Sequence, residues 1–220
     1  MATTAVFAEL LVIGVQVLTW MGLLLLAIAG PGLETQPLAV ALAGSPALAV
    51  LLVVSFAYLF GILADRLADS LFHLIDDDKK KQALAKFDAD QLAGIGVMRT
   101  AVLMEGGAAA DFLDYVRSRM RVVRASALNL PMIGWAALLY AAVRTADGAG
   151  VAAVSVALGA HVLGAVCVWA WLRIHTTYCR RLAEAWLLTA AAKEHAAAVA
   201  AKQAAEAEKA RKAAKKAARP

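Results

Sequence analysis

Two stripes of opposite charge stand out among the residues able to do chemistry. Arg117, Arg121 and Arg124 are spaced i, i+4 and i+7, so on a helix they share one face, with Arg119 turned about 160° from Arg117. Asp65 and Asp69 are likewise i and i+4. If the two helices are antiparallel neighbours, Asp65 comes level with Arg124 and Asp69 with Arg121, forming a structural ion-pair clamp. The alternative is that the arginines only reach for lipid headgroups and set topology. Arg117 also has Asp114 at i−3 in its own helix to neutralise it.

His161 lies near the middle of an apolar block, where an ionisable group is a functional hypothesis by default. It reads either as a proton relay or ligand contact, or as a neutral imidazole bonded to a neighbouring helix at Asn129, Gln16 or Ser55. Metal binding needs more ligands than the blocks offer. Asp76-Asp77-Asp78 precedes Lys79-Lys80-Lys81. Those acids read as the cap of a new helix rather than as a cation site, since three adjacent carboxylates diverge on a helix. Cys167 and Cys179 are twelve apart, which fits neither a disulfide framework nor a zinc site.

Enzyme signatures are absent from the sequence: no His-Glu-x-x-His, no Gly-x-Ser-x-Gly, no phosphate-binding loop and no dinucleotide fingerprint. The expectation is therefore a non-enzyme without cofactor.

The positioning elements follow from composition. Of 220 residues, 62% are hydrophobic and 18% charged, with mean hydropathy +0.68, too apolar for a soluble domain. The apolar residues fall in four blocks: about Ala5 to Ala29, Leu38 to Leu63, Ala125 to Val143 and Ala149 to Leu172. Each is long enough to cross a ~30 Å hydrocarbon layer as a helix, and none alternates with a period of two. Pro46 suits a first helical turn, and Pro131 removes one helical hydrogen bond inside the third block. Ser155, Gly159, Ala160 and Gly164 give two small-xxx-small pairs on the fourth.

The fold class expected is all-α: a polytopic membrane protein with four transmembrane helices, a helical cytosolic segment and a long helical C-terminal tail. The domains are 1–63 and 125–172 as transmembrane hairpins, 64–124 as the cytosolic segment and 173–220 as the tail. Lys and Arg number ten between Ala64 and Arg124, eleven after Leu172 and one, Arg144, between the last two blocks. This asymmetry sets both termini and residues 64–124 in the cytosol and implies a multi-pass protein of the cytoplasmic (inner) membrane. Ala27-Ile28-Ala29 resembles a signal-peptidase site, but no cation precedes the long apolar run.

The tail from Ala190 is rich in Ala, Lys and Glu, so one helix running on from the fourth block and fraying at its end is expected. Its cations Lys209, Arg211, Lys212, Lys215, Lys216 and Arg219 suit anionic lipid headgroups. Nucleic acid is disfavoured, because no aromatic residue interleaves them.

Two function classes stay open. One is a non-enzymatic oligomeric membrane subunit or scaffold with a cytosolic interaction surface, homo-oligomeric or part of a membrane complex. The other is a small oligomeric ion channel or transporter with a path between transmembrane helices. Polar residues in the blocks are few and scattered, which favours the first.

Overall fold

A computed structural model describes residues 2–30, 44–144 and 149–217. The fold is all-α, and among the described residues four helices are long and apolar enough to cross a membrane. Helix α1 (Ala2–Ala29) ends where Gly30 takes φ 74°, a left-handed conformation that glycine adopts without a side-chain clash. Helix α2 (Pro46–Leu84) begins with Pro46 in its first turn, and the Ser45 carbonyl accepts the Ala49 N–H at 3.1 Å. Helix α3 (Ile95–Glu105) stops at Gly106, φ 71°, whose N–H returns to the Val102 carbonyl. Helix α4 (Gly107–Arg144) starts at once and runs unbroken through Pro131. Helix α5 (Ala149–Leu187) and helix α6 (Ala190–Ala217) complete the chain. The loops 31–43 and 145–148, where the sequence puts the outward turns, lie outside the described residues.

Three sequence expectations change. Asp76 and Asp78 begin no helix, because α2 passes through them to Leu84; the helix-forming Lys and Gln beyond them carry it on. The tail is not one helix with α5, since the chain turns at Leu188 and Thr189 before α6 begins. The new helix then stays regular to Ala217, further than its few large apolar residues suggest, because alanine, lysine and glutamate favour the helix locally.

The helices fold into two compact units, residues 1–77 with 116–175 and residues 78–115 with 176–220. In the first, α1 and α4 run parallel: Gln16 meets Ser126 near their middle and Ala27 meets Arg144 at their ends. α2 returns along α1 at very close range. A Cβ on Gly14 would lie 1.6 Å from the Ala57 carbonyl oxygen, and one on Gly61 would lie 1.9 Å from that of Leu10. Small residues thus let two backbones touch where no hydrophobic effect drives them together. α5 packs against α4 in the same manner, with Gly164 under Pro131 and Gly134 against Ala157. Of the two small-residue pairs on α5, Ala160 and Gly164 are used, while Ser155 is exposed and Gly159 has open space beside it. Twenty residues of α4 separate Arg124 from Arg144, about 30 Å at 1.5 Å per residue, the thickness of a bilayer core.

The second unit is built around Trp186, fully buried with Met98, Val102, Leu113, Cys179 and Leu182. Val97 and Met104, on the other side of α3, are exposed. The Trp186 indole donates to the Gln91 carbonyl at 2.9 Å, satisfying its one polar atom. Gln91 closes a 3-10 turn (Ala89–Gln91) capped by the Asp88 carboxylate. α6 is held at its N-terminus by two acceptors: the Thr189 hydroxyl takes the Ala192 N–H at 3.1 Å, and Glu105 takes that of Ala190 at 2.9 Å. Further along, Gln203 donates to Asp90 at 2.8 Å. Thr189→Ala removes a buried cap and is expected to cost about 1–2 kcal/mol. Hydrogen exchange should then quicken in the first turns of α6 while amides 116–175 stay as protected as before.

Candidate functional site

The site is a ladder of polar contacts that crosses the first unit from one end to the other. At the arginine-rich end, Arg124 reaches two carboxylates on α2: its Nη2 lies 3.1 Å from Asp65, and its Nη1 pairs with Asp69. Arg121 turns to α1, donating to Glu9 at 2.8 Å, with Asp65 at 3.8 Å as a weaker second partner. The Ser118 hydroxyl also donates to Glu9. Asp69 therefore pairs with Arg124, and not with Arg121 as the residue spacing predicted. The reason is a competitor: Glu9 occupies Arg121 from a third helix. Arg117, one turn further from the span, is exposed.

Burial ranks these contacts. Asp65 is only 4% exposed, whereas the Asp69 side chain is 56% exposed. A carboxylate withdrawn from water needs its partners far more than one that water still reaches. Asp65 is thus the anchor of the cluster, and Asp69 a rim contact.

Deeper in the bundle, Gln16 on α1 faces α4. Its amide donates to Ser126 at 2.9 Å, and its carbonyl oxygen accepts from Ser126 at 3.2 Å and from Asn129 at 3.4 Å. Asn129 is buried and belongs to this cluster, not to His161. At the far end Arg144 donates from Nε to the Ala27 carbonyl at 2.9 Å and from Nη2 to that of Ile28 at 3.0 Å. The lone cation of that side therefore caps α1, where free carbonyls and the helix dipole both attract it.

His161 bonds back to its own helix: its Nδ1–H donates to the Ala157 carbonyl at 2.7 Å, and its ring stands edge-on to Trp135 at 5.4 Å. The expectation that it reaches Asn129, Gln16 or Ser55 is replaced by this local bond, because Gly134 and Ala157 bring α4 and α5 together beside the ring. Thr19, Ser55 and Ser155 make the same i−4 bond, to Val15, Leu51 and Val151.

A second lock ties α2 to α5. His175 Nε2 lies 2.7 Å from Asp76, and the His175 ring stacks on Trp171 at 5.2 Å. Trp171 in turn meets Phe72 edge-on at 4.7 Å, and both are buried with Ala127. Arg173 lies over the exposed Trp169 ring at 5.7 Å, an arrangement suited to a membrane interface.

Three titratable side chains of these contacts had partners that escaped the sequence reading. Glu9 carried a signal, being the only charge in the first apolar block, and a lone carboxylate there demands a partner. His175 and Asp76 carried none, since nothing in their spacing puts the two helices side by side. Among the tail cations, Lys209 is exposed. The side chains of Arg211, Lys212, Lys215, Lys216 and Arg219 lie outside the described residues.

No group of three or more His, Cys, Asp or Glu side chains among the described residues is arranged to hold a metal ion. Neither Cys167 nor Cys179 forms a disulfide. No protein-family model, curated protein or solved structure matches this chain.

Proposed function

We propose that the chain is a non-enzymatic, oligomeric integral membrane subunit: a four-helix anchor that carries a helical interaction module on the cytosolic side of a cytoplasmic membrane. One observation carries this reading. Seven polar side chains of the spans are spent on one another or on their own helices. Gln16, Ser126 and Asn129 bond together, and Thr19, Ser55, Ser155 and His161 bond to carbonyls four residues back. A permeant ion needs a row of such groups facing an aqueous route. Gln16, Ser126 and Asn129 instead hold two helices together, as polar side chains in structural membrane bundles do, and the other four are turned back on their own helices.

The cytosolic assignment rests on the twenty-one Lys and Arg to one side of the spans against Arg144 on the other. On that side the protein offers the exposed faces of α3 and α6, and the basic end of α6 suits anionic headgroups of the same leaflet.

The competing reading is a channel between subunits, and flux separates the two. Proteoliposomes are expected to pass protons, potassium and chloride no faster than protein-free vesicles. Protein-dependent flux that falls in His161→Ala would overturn the anchor reading in favour of a channel.

A further inference from the structure

The outer face of α2 is apolar well beyond the depth at which lipid can cover it. Phe56, Leu63, Leu67, Leu71 and Leu74 are all exposed, with Phe60 half-buried among them, and the Phe56 and Phe60 rings stack at 6.1 Å. They recur at steps of three and four, a coiled-coil spacing. They lie about 120° round the helix from the bundle-facing side, where Ala57, Asp65, Ala68 and Phe72 are buried.

The level of Asp65 and Arg124 marks the edge of the hydrocarbon, as their charges and the ~30 Å run to Arg144 both require. Leu74 is nine residues past Asp65 on one continuous helix, about 13 Å further out at 1.5 Å per residue, and a tilt of about 20° shortens this little. The headgroup layer is only about 5–7 Å thick on each side. Leu63 therefore faces acyl chains, Leu67 headgroups, and Leu74, 83% exposed, faces water.

Lipid can cover only the upper part of this seam, and a soluble partner only the lower part. A chain that crosses the same boundary in the same direction covers both. A second copy is inserted in the same orientation and brings an identical seam to the same heights, which satisfies an isologous contact about an axis along the membrane normal.

We propose that α2 is the self-association surface of this protein, two copies packing in parallel along Phe56 to Leu74. This rests on the oligomeric reading above and names its interface.

The test uses the full chain in native membranes with Cys167 and Cys179 replaced by alanine. Under mild oxidation, Leu67→Cys and Leu74→Cys are expected to give a disulfide-linked dimer as the main species, and Val162→Cys, equally exposed but on α5, is not. In nanodiscs, the native mass of the unmodified chain should be a dimer or a multiple of one, and Leu71→Glu with Leu74→Glu should shift it to smaller species. A monomeric unmodified chain overturns the oligomeric reading and the interface with it. An oligomer whose mass is unchanged by the two glutamates, and which gives no disulfide at positions 67 and 74, overturns the interface alone. Co-purification of a different protein that is lost on the same two substitutions also overturns the second copy as occupant.

Discussion

Replacing Arg124 with methionine is expected to destabilise the bundle by about 3 kcal/mol, near the lower end of the 3–5 kcal/mol seen when one partner of a buried ion pair is removed. The substitution keeps the apolar stem but leaves Asp65, almost wholly buried, with only Arg121 at 3.8 Å, while that arginine is already engaged by Glu9. Asp69→Asn should cost under about 1 kcal/mol, because the Asp69 carboxylate is more than half exposed and water replaces the lost contact. The contrast between two partners of one arginine separates burial from mere pairing. Charge exchange sharpens it. Arg124→Asp brings a third carboxylate beside Asp65 and Asp69, so adding Asp65→Arg should recover only part of the loss, the repulsion from Asp69 remaining. Equilibrium unfolding in mixed micelles, run as a double-mutant cycle, reads these differences directly. Equal losses for Arg124→Met and Asp69→Asn would mean that the cluster is solvated and holds nothing.

The second large effect comes from two glycines. In Gly14→Ala the added Cβ meets a backbone oxygen of α2 at 1.6 Å, and in Gly61→Ala it meets one of α1 at 1.9 Å. A flexible side chain cannot swing aside to make room, so α1 and α2 must separate along their length. Each alanine is expected to cost about 3 kcal/mol or more, at or beyond the upper end of ordinary overpacking, and Gly14→Leu to abolish the folded protein. Gly22 and Gly159 have open space beside them. Alanine there should be neutral, or stabilising by up to ~1 kcal/mol through helix propensity. Thermal unfolding and the yield of monodisperse protein distinguish the two groups. If all four behave alike, the close approach of α1 and α2 is wrong.

The sequence carried the helical framework because composition is a long-range, redundant signal: four apolar blocks, Pro46 at a helix start and the glycines at helix ends each speak for themselves. Asp65 and Arg124 were legible as a pair for the same reason, since they sit two residues and one residue beyond the ends of their apolar blocks. The partner of Asp69 was not, because it depends on α1 supplying Glu9 to Arg121. Depth along a helix can be counted from sequence, but rotation about its axis is fixed by packing. The same limit applies to His161, whose depth was plain and whose neighbours were not, and to His175 with Asp76. The break before α6 left a modest local trace, Thr189 ahead of an alanine run, which an N-cap reading would have caught. Glu105 as the second cap of that helix comes from 85 residues away and leaves no trace at all.

The proposed topology has four helices crossing the bilayer with the Asp65, Arg121 and Arg124 cluster at its cytosolic edge. Single cysteines at Glu34, Lys80, Asp147 and Lys202, in a chain with Cys167 and Cys179 replaced, test it when intact cells are treated with a membrane-impermeant thiol reagent. Glu34→Cys and Asp147→Cys are expected to label from outside, and Lys80→Cys and Lys202→Cys only after the membrane is opened. Labelling of Lys80→Cys or Lys202→Cys in intact cells would contradict that topology.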